Sequence, residues 1–121
     1  MTEIQNAKPF DLEERTFQFA KRTALYVKQL PRSISNLEYG RQVVDASGSV
    51  GANYIEANEA LSKKDFIMRI KISRKEAKES AYWLRLIVET NDEKWKQEGK
   101  SLLNEALELK KIFSSILMKS G

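Results

Sequence analysis

The chain has 121 residues, 41% apolar and 31% charged, with 21 lysines and arginines against 17 acids and a formal net charge of +4. That is enough for one domain with its own core; the absence of both cysteine and histidine excludes a disulfide framework and thiol chemistry and removes the commonest general base and metal ligand. Met1 to Pro9 is polar and no run approaches the ~18 apolar residues of a membrane span, so a cytoplasmic protein without signal peptide or membrane partner is expected.

Residues 1–10 carry no periodicity and are expected to form a flexible tail ahead of a single domain over 11–121. Asp11 and Glu14 are spaced as a capping box, and Pro31 ends the pattern they open. Between them Leu12, Phe17, Ala20, Ala24, Val27 and Leu30 predict the buried stripe of a first helix. Ser35 with Glu38 predicts the start of a second helix running to about Ala60, and Ser62 with Asp65 the start of a third. The third presents Phe66, Ile70, Ala77, Ala81, Leu84 and Val88, and ends near Asn91, a residue that tolerates a left-handed cap. A fourth begins at Asp92 or later, with Gly99 as a weak point, and runs to Met118. Its stripe, Leu102, Ala106, Leu109, Phe113 and Ile116, steps 4-3-4-3 as in a bundle seam. With no alternating strand pattern, four helices and short connections predict an all-α, antiparallel up-and-down four-helix bundle.

The second helix contains Gly40, Gly48 and Gly51, each costing about 1 kcal/mol relative to alanine in a helix interior. A phosphate-cradling loop is excluded, because neither GxxxxGK[ST] nor GxGxxG is present and no strand precedes the stretch. A break in the helix between Ser47 and Gly51 competes with close packing. The strip Ala46, Ser47, Gly48, Gly51 and Ala52 favours close packing: Gly48, Gly51 and Ala52 let another helix approach backbone to backbone, within the bundle or between subunits.

Asn53 and Glu56 follow on one face. A dinuclear carboxylate site would want glutamates on all four helices plus Glu-x-x-His pairs. The chain offers Glu56, Glu59, Glu76 and Glu79 on two helices and no histidine, so no metal, no cofactor and no catalytic residue are expected. Asn53, Glu56, Ser73 and Glu76 are instead expected to form a structural polar network, with Arg74, Lys71 or Lys78 pairing across helices.

The segment Ser49-Val50-Gly51-Ala52-Asn53-Tyr54-Ile55-Glu56-Ala57, followed by Phe66 and Ile72-Ser73-Arg74-Lys75-Glu76, resembles the signature of the four helix bundle proteins, or 23S ribosomal RNA intervening-sequence proteins. The similarity runs from Phe10 to the end, with Ala57 and Ile72 standing where the family carries glycine. The resemblance implies a left-handed up-and-down bundle that assembles into a ring, commonly a pentamer. Members are encoded in insertions within large-subunit ribosomal RNA genes, and relatives serve as accessory proteins of diversity-generating retroelements that bind nucleic acid and a reverse transcriptase. It carries over no catalytic residue.

Charge is uneven. Residues 62–90 hold eight lysines and arginines against four acids, while residues 35–61 hold one against four. Lys64, Lys71, Lys78 and Arg85 recur every seven residues, with Lys75 beside them, along one side of the third helix. Three uses compete: a solvated face, a footprint for the phosphates of RNA or DNA, and a contact with the acidic second helix of another subunit. The expected function is a non-enzymatic ring-forming adaptor that binds nucleic acid through this helix, against the alternative of a scaffold for a partner protein. Lys110 and Lys111 of the fourth helix are expected to matter less.

Overall fold

The computed structural model describes residues 9–120. These form α1 (Pro9–Gln29), α2 (Ile34–Asn58), α3 (Lys63–Thr90) and α4 (Lys96–Ser120), with a 3-10 turn at Glu93–Trp95 leading into α4. Of the expected tail over residues 1–10, residues 1–8 lie outside what is described, as does the side chain of Asp11 in the first capping box; Pro9 and Phe10 are helical, so α1 opens two residues ahead of Asp11. Consecutive helices pack side by side and α1 closes against α4, which makes an antiparallel up-and-down four-helix bundle.

Hydroxyl caps set two of the starts. Ser62, in extended backbone, accepts the Asp65 N–H at 3.0 Å and opens α3 where the sequence placed it. The start of α2 differs: Ser33, not Ser35, is the cap, accepting the Asn36 N–H at 3.0 Å. Glu38 is therefore released from the expected box and meets Arg41 and Gln42 on the surface. At the end of α3, Asn91 is extended (φ −118, ψ 166) rather than left-handed, and caps with its side chain, donating Nδ2 to the Ile87 carbonyl at 2.9 Å. The ammonium of Lys96 serves the neighbouring carbonyls of Val88 and Asn91.

The buried face of α1 also departs from expectation. Leu12, Thr16, Phe19, Thr23 and Tyr26 point inward at 4-3-4-3 spacing, whereas Phe17 is 59% exposed and Ala24 faces out. A five-residue step from Leu12 to Phe17 turns about 140° around a helix, so the two cannot share a face. The apolar pattern passed over two threonines that sit in the core. Thr16 satisfies its hydroxyl on the Glu13 carbonyl at 2.9 Å.

The stripes of α3 and α4 hold. Ile70, Ala77, Leu84, Leu102, Ala106, Leu109 and Phe113 are fully buried, joined by Phe19, Val43, Val50 and Ile87. Full burial of each larger side chain contributes about 1.5–3 kcal/mol. Helix α2 is unbroken through Ser47–Gly51. Gly51 lies against Thr16, where a Cβ would stand 2.9 Å from the threonine hydroxyl and 3.2 Å from its Cβ. Gly99 lies inside α4 against Tyr26 and Val88, a tight fit and not a delay in the helix. Across the α1–α4 seam, Arg15 grips Glu105 through two bonds of 2.7 and 3.0 Å, and Arg22 reaches Glu98 and Ser101.

Candidate nucleic-acid interface

The cap at Ser62 fixes the phase of α3, and the buried Ile70, Ala77 and Leu84 turn the opposite side to solvent. Lys64, Lys71, Lys75, Lys78 and Arg85 are all exposed on that side. Lys71, Lys75 and Lys78, with Arg74, form one wall of an open groove of about 350 Å³, and Lys110 and Ser114 of α4 form the other. Five cations and a hydroxyl line it, with no carboxylate among them.

The two flanking members stand apart. Lys64 borders a shallow hollow at the start of α3 with Ile67, Met68 and Lys71. Arg85 lies beyond the groove beside Tyr82 and pairs with Glu89 at 3.5 Å, both partners well exposed. Among the described residues the groove cations make one ion pair, a loose 4.0 Å contact from Lys75 to Glu76. Such contacts are worth about 0–1 kcal/mol, so they leave the groove strongly positive.

Arg74, expected to pair across helices in the polar network, and Lys110, expected to matter less, both line the groove. Arg74 precedes Lys75, is half-exposed, and lines the groove with Lys110 and Ser114 of α4. Lys110 follows the buried Leu109, and Ser114 follows the buried Phe113, so both sit at the edge of the α4 core stripe. That edge position was the available signal, and it places Lys110 with the basic set.

Ser73 donates to the Val50 carbonyl of α2 at 2.9 Å, and Asn53 accepts from Arg69 of α3 at 3.0 Å while donating to the Ser49 carbonyl. Arg69 therefore takes the place expected for Arg74, Lys71 or Lys78. Glu56 is exposed and joins none of the ion pairs or side-chain bonds found among the described residues. Glu76 is half-buried, and its carboxyl is held above the usual carboxylate range by burial first, then by the negative charge of Glu79, against the pull of Lys75. Among the described residues no group of three or more acids stands together to hold a metal ion.

Close packing within the chain is found at Gly51, while Gly48 and Ala52 face outward and a Cβ on Gly48 would meet nothing within 4 Å. They fall on an outer face of α2 that also carries Leu37, Val44 and Ile55, 54%, 41% and 49% exposed. No described helix is long and apolar enough to cross a membrane.

The sequence model of a family described as 23S rRNA-intervening sequence protein matches residues 8–115. The fold is similar to a crystal structure of a protein with unknown function from the S23 ribosomal protein family of Bacteroides thetaiotaomicron VPI-5482. The TM-score is 0.79 at 29% identity, over 91% of this chain and 97% of that one. No curated protein matches.

Proposed function

The chain belongs to the 23S rRNA-intervening sequence protein family, and from that premise we propose that it is a non-enzymatic bundle protein that binds nucleic acid through the groove between α3 and α4, as a cytoplasmic ring-shaped homo-oligomer. The observation that carries the reading is the convergence of Lys71, Arg74, Lys75, Lys78 and Lys110 on one groove with no acid in its lining. Gathering five like charges costs free energy, and counterions released from a phosphate backbone supply a reason to keep them together. A pI of about 9.3 agrees with an anionic partner, and the absence of cysteine agrees with a reducing compartment.

Assembly is supported by the outer face of α2. Leu37, Val44 and Ile55 make a half-exposed apolar row, and Gly48 and Ala52 leave its middle flat enough for a second helix to lie close. Five subunits is the number implied by the family resemblance. Repetition of the groove around a ring would turn weak single contacts into avid ones, because each later contact is intramolecular.

The same α2 face favours a second reading, a scaffold for a partner protein with no affinity for nucleic acid. Retention of RNA across a salt series separates the two. The groove reading expects binding that weakens with a log–log slope of about −0.7 to −0.9 per phosphate contact and little sequence preference. No retention at about 50 mM salt, where such contacts are strongest, gives the scaffold reading the field.

A further inference from the structure

The exposed ridge of α3 does not stop at Lys78. Continuing the 4-3 step, Lys71, Lys75, Lys78, Tyr82 and Arg85 occupy one line, and the fourth of them is aromatic. Tyr82 is 59% exposed, and it borders a small hollow of about 170 Å³ with Arg85, Leu86 and Glu89. Its ring is not loose. It sits 5.0 Å from the half-buried Trp83 ring in an edge-on arrangement (76°), and Trp83 in turn lies 5.9 Å from Tyr39 of α2. Three rings thus run outward from the bundle, the last of them open to solvent beside the cations.

We propose that the strand held by the basic groove is single-stranded, and that Tyr82 stacks one of its bases while Lys78 and Arg85 hold the flanking phosphates. This rests on the nucleic-acid reading above and adds to it the class of partner. Lys78 and Arg85 lie about 6 and 4.5 Å along the helix from Tyr82 on either side, given 1.5 Å per residue. In a duplex the base faces are already stacked and a tyrosine on a convex helix surface meets only phosphates and groove edges. In a single strand those faces are free, and an aromatic ring accepts any base. Because the Tyr82 ring already packs edge-on against Trp83, less side-chain freedom is lost on stacking. Glu89 lines the same hollow and pairs with Arg85 at 3.5 Å, an exposed and weak pair that Arg85 exchanges for the phosphate.

The test uses three labelled probes of about 20 nucleotides, longer than a usual single-strand footprint: oligothymidylate, an abasic strand with the same phosphates, and a duplex. Fluorescence anisotropy of the full chain should show oligothymidylate bound about tenfold tighter than the abasic strand. Tyr82→Ala should remove that difference, leaving abasic and duplex affinities, salt slope and oligomer mass unchanged. Tyr82→Phe should behave as wild type. The proposal is overturned if Tyr82→Ala binds oligothymidylate like wild type, if it weakens all three probes equally, or if it lowers oligomer mass, which would make Tyr82 a subunit contact. Binding with a normal salt slope but no dependence on Tyr82 defeats this proposal alone. Absence of binding to every probe defeats the groove reading with it.

Discussion

Asn36 at the start of α2 and Asn91 at the end of α3 exchange their side-chain amides, with Asn36 Nδ2 donating to Asn91 Oδ1 at 2.9 Å and Asn91 Nδ2 donating back to Asn36 Oδ1 at 2.8 Å. Each amide spends a second hydrogen on a backbone carbonyl, Asn36 on Pro31 and Asn91 on Ile87. The pair ties the α1–α2 turn to the end of α3.

Asn91→Gly therefore distinguishes two kinds of cap. A left-handed cap would welcome glycine. An extended residue that caps through its side chain loses its bonds and leaves the buried Asn36 amide short of a partner, at a cost of about 1–3 kcal/mol. Urea denaturation should show the midpoint falling, not rising.

The glycines of α2 and α4 separate by what faces them. Gly48→Ala should stabilise the fold by up to about 1 kcal/mol through helix propensity, since its Cβ would meet nothing within 4 Å. Gly99→Ala and Gly51→Leu should each destabilise by about 1–3 kcal/mol, because Tyr26 with Val88, and Thr16, already occupy the space. Gly48→Leu, which gains the same helix propensity, should not destabilise the subunit while lowering oligomer mass on light scattering. Unchanged mass would remove this face from the assembly.

What the sequence disclosed and what it hid divide along one physical line. The Ser62 cap and the stripes through Ile70, Leu84, Leu109 and Phe113 were legible because local hydrogen bonding and strong apolar periodicity point the same way. Ser33 and Ser35 are chemically alike and two residues apart, and the choice fell to contacts of Asn36 with Pro31 and Asn91 that no local pattern records. The α1 face departs from its apolar pattern because Thr16 and Thr23 are buried polar residues within the inward stripe. Of the groove, the regular spacing of Lys71 and Lys78 showed in the sequence. Its far wall did not, because meeting Lys110 depends on how α3 and α4 lie against each other.

Glu76 predicts a pH dependence. The folded chain keeps the Glu76 proton above the ordinary carboxylate value of 4.5, while the unfolded chain loses it there. In that window the folded state binds more protons, so its stability falls as pH rises. Glu76→Gln should remove this contribution and unfold at a higher temperature than wild type at neutral pH, with the gap closing below pH 4.5. A lower melting temperature at neutral pH would show that the carboxylate is satisfied.

Tyr26 predicts the alkaline limb. Burial, aided by the negative charge of Glu98, pushes its hydroxyl from 10.0 up to about 12, and that hydroxyl donates to the Trp95 carbonyl at 2.7 Å. An unfolded chain releases the proton first, so stability falls between pH 10 and 12. Absorbance titration should show late tyrosinate absorbance that Tyr26→Phe reduces, leaving the share of Tyr54, whose hydroxyl burial also raises.

The central claim is that the α3–α4 groove is where nucleic acid is held. Its most direct test is the salt dependence of RNA binding for a variant with Lys71, Arg74, Lys75, Lys78 and Lys110 all changed to Gln, against a control carrying Lys21→Gln and Lys28→Gln on the exposed side of α1. With helicity and oligomer mass matched, the groove variant should lose most of its affinity and flatten the log–log slope by several units, about 0.7–0.9 for each phosphate contact removed. The α1 control should keep a slope close to wild type. A groove variant that binds with the wild-type slope would contradict the account.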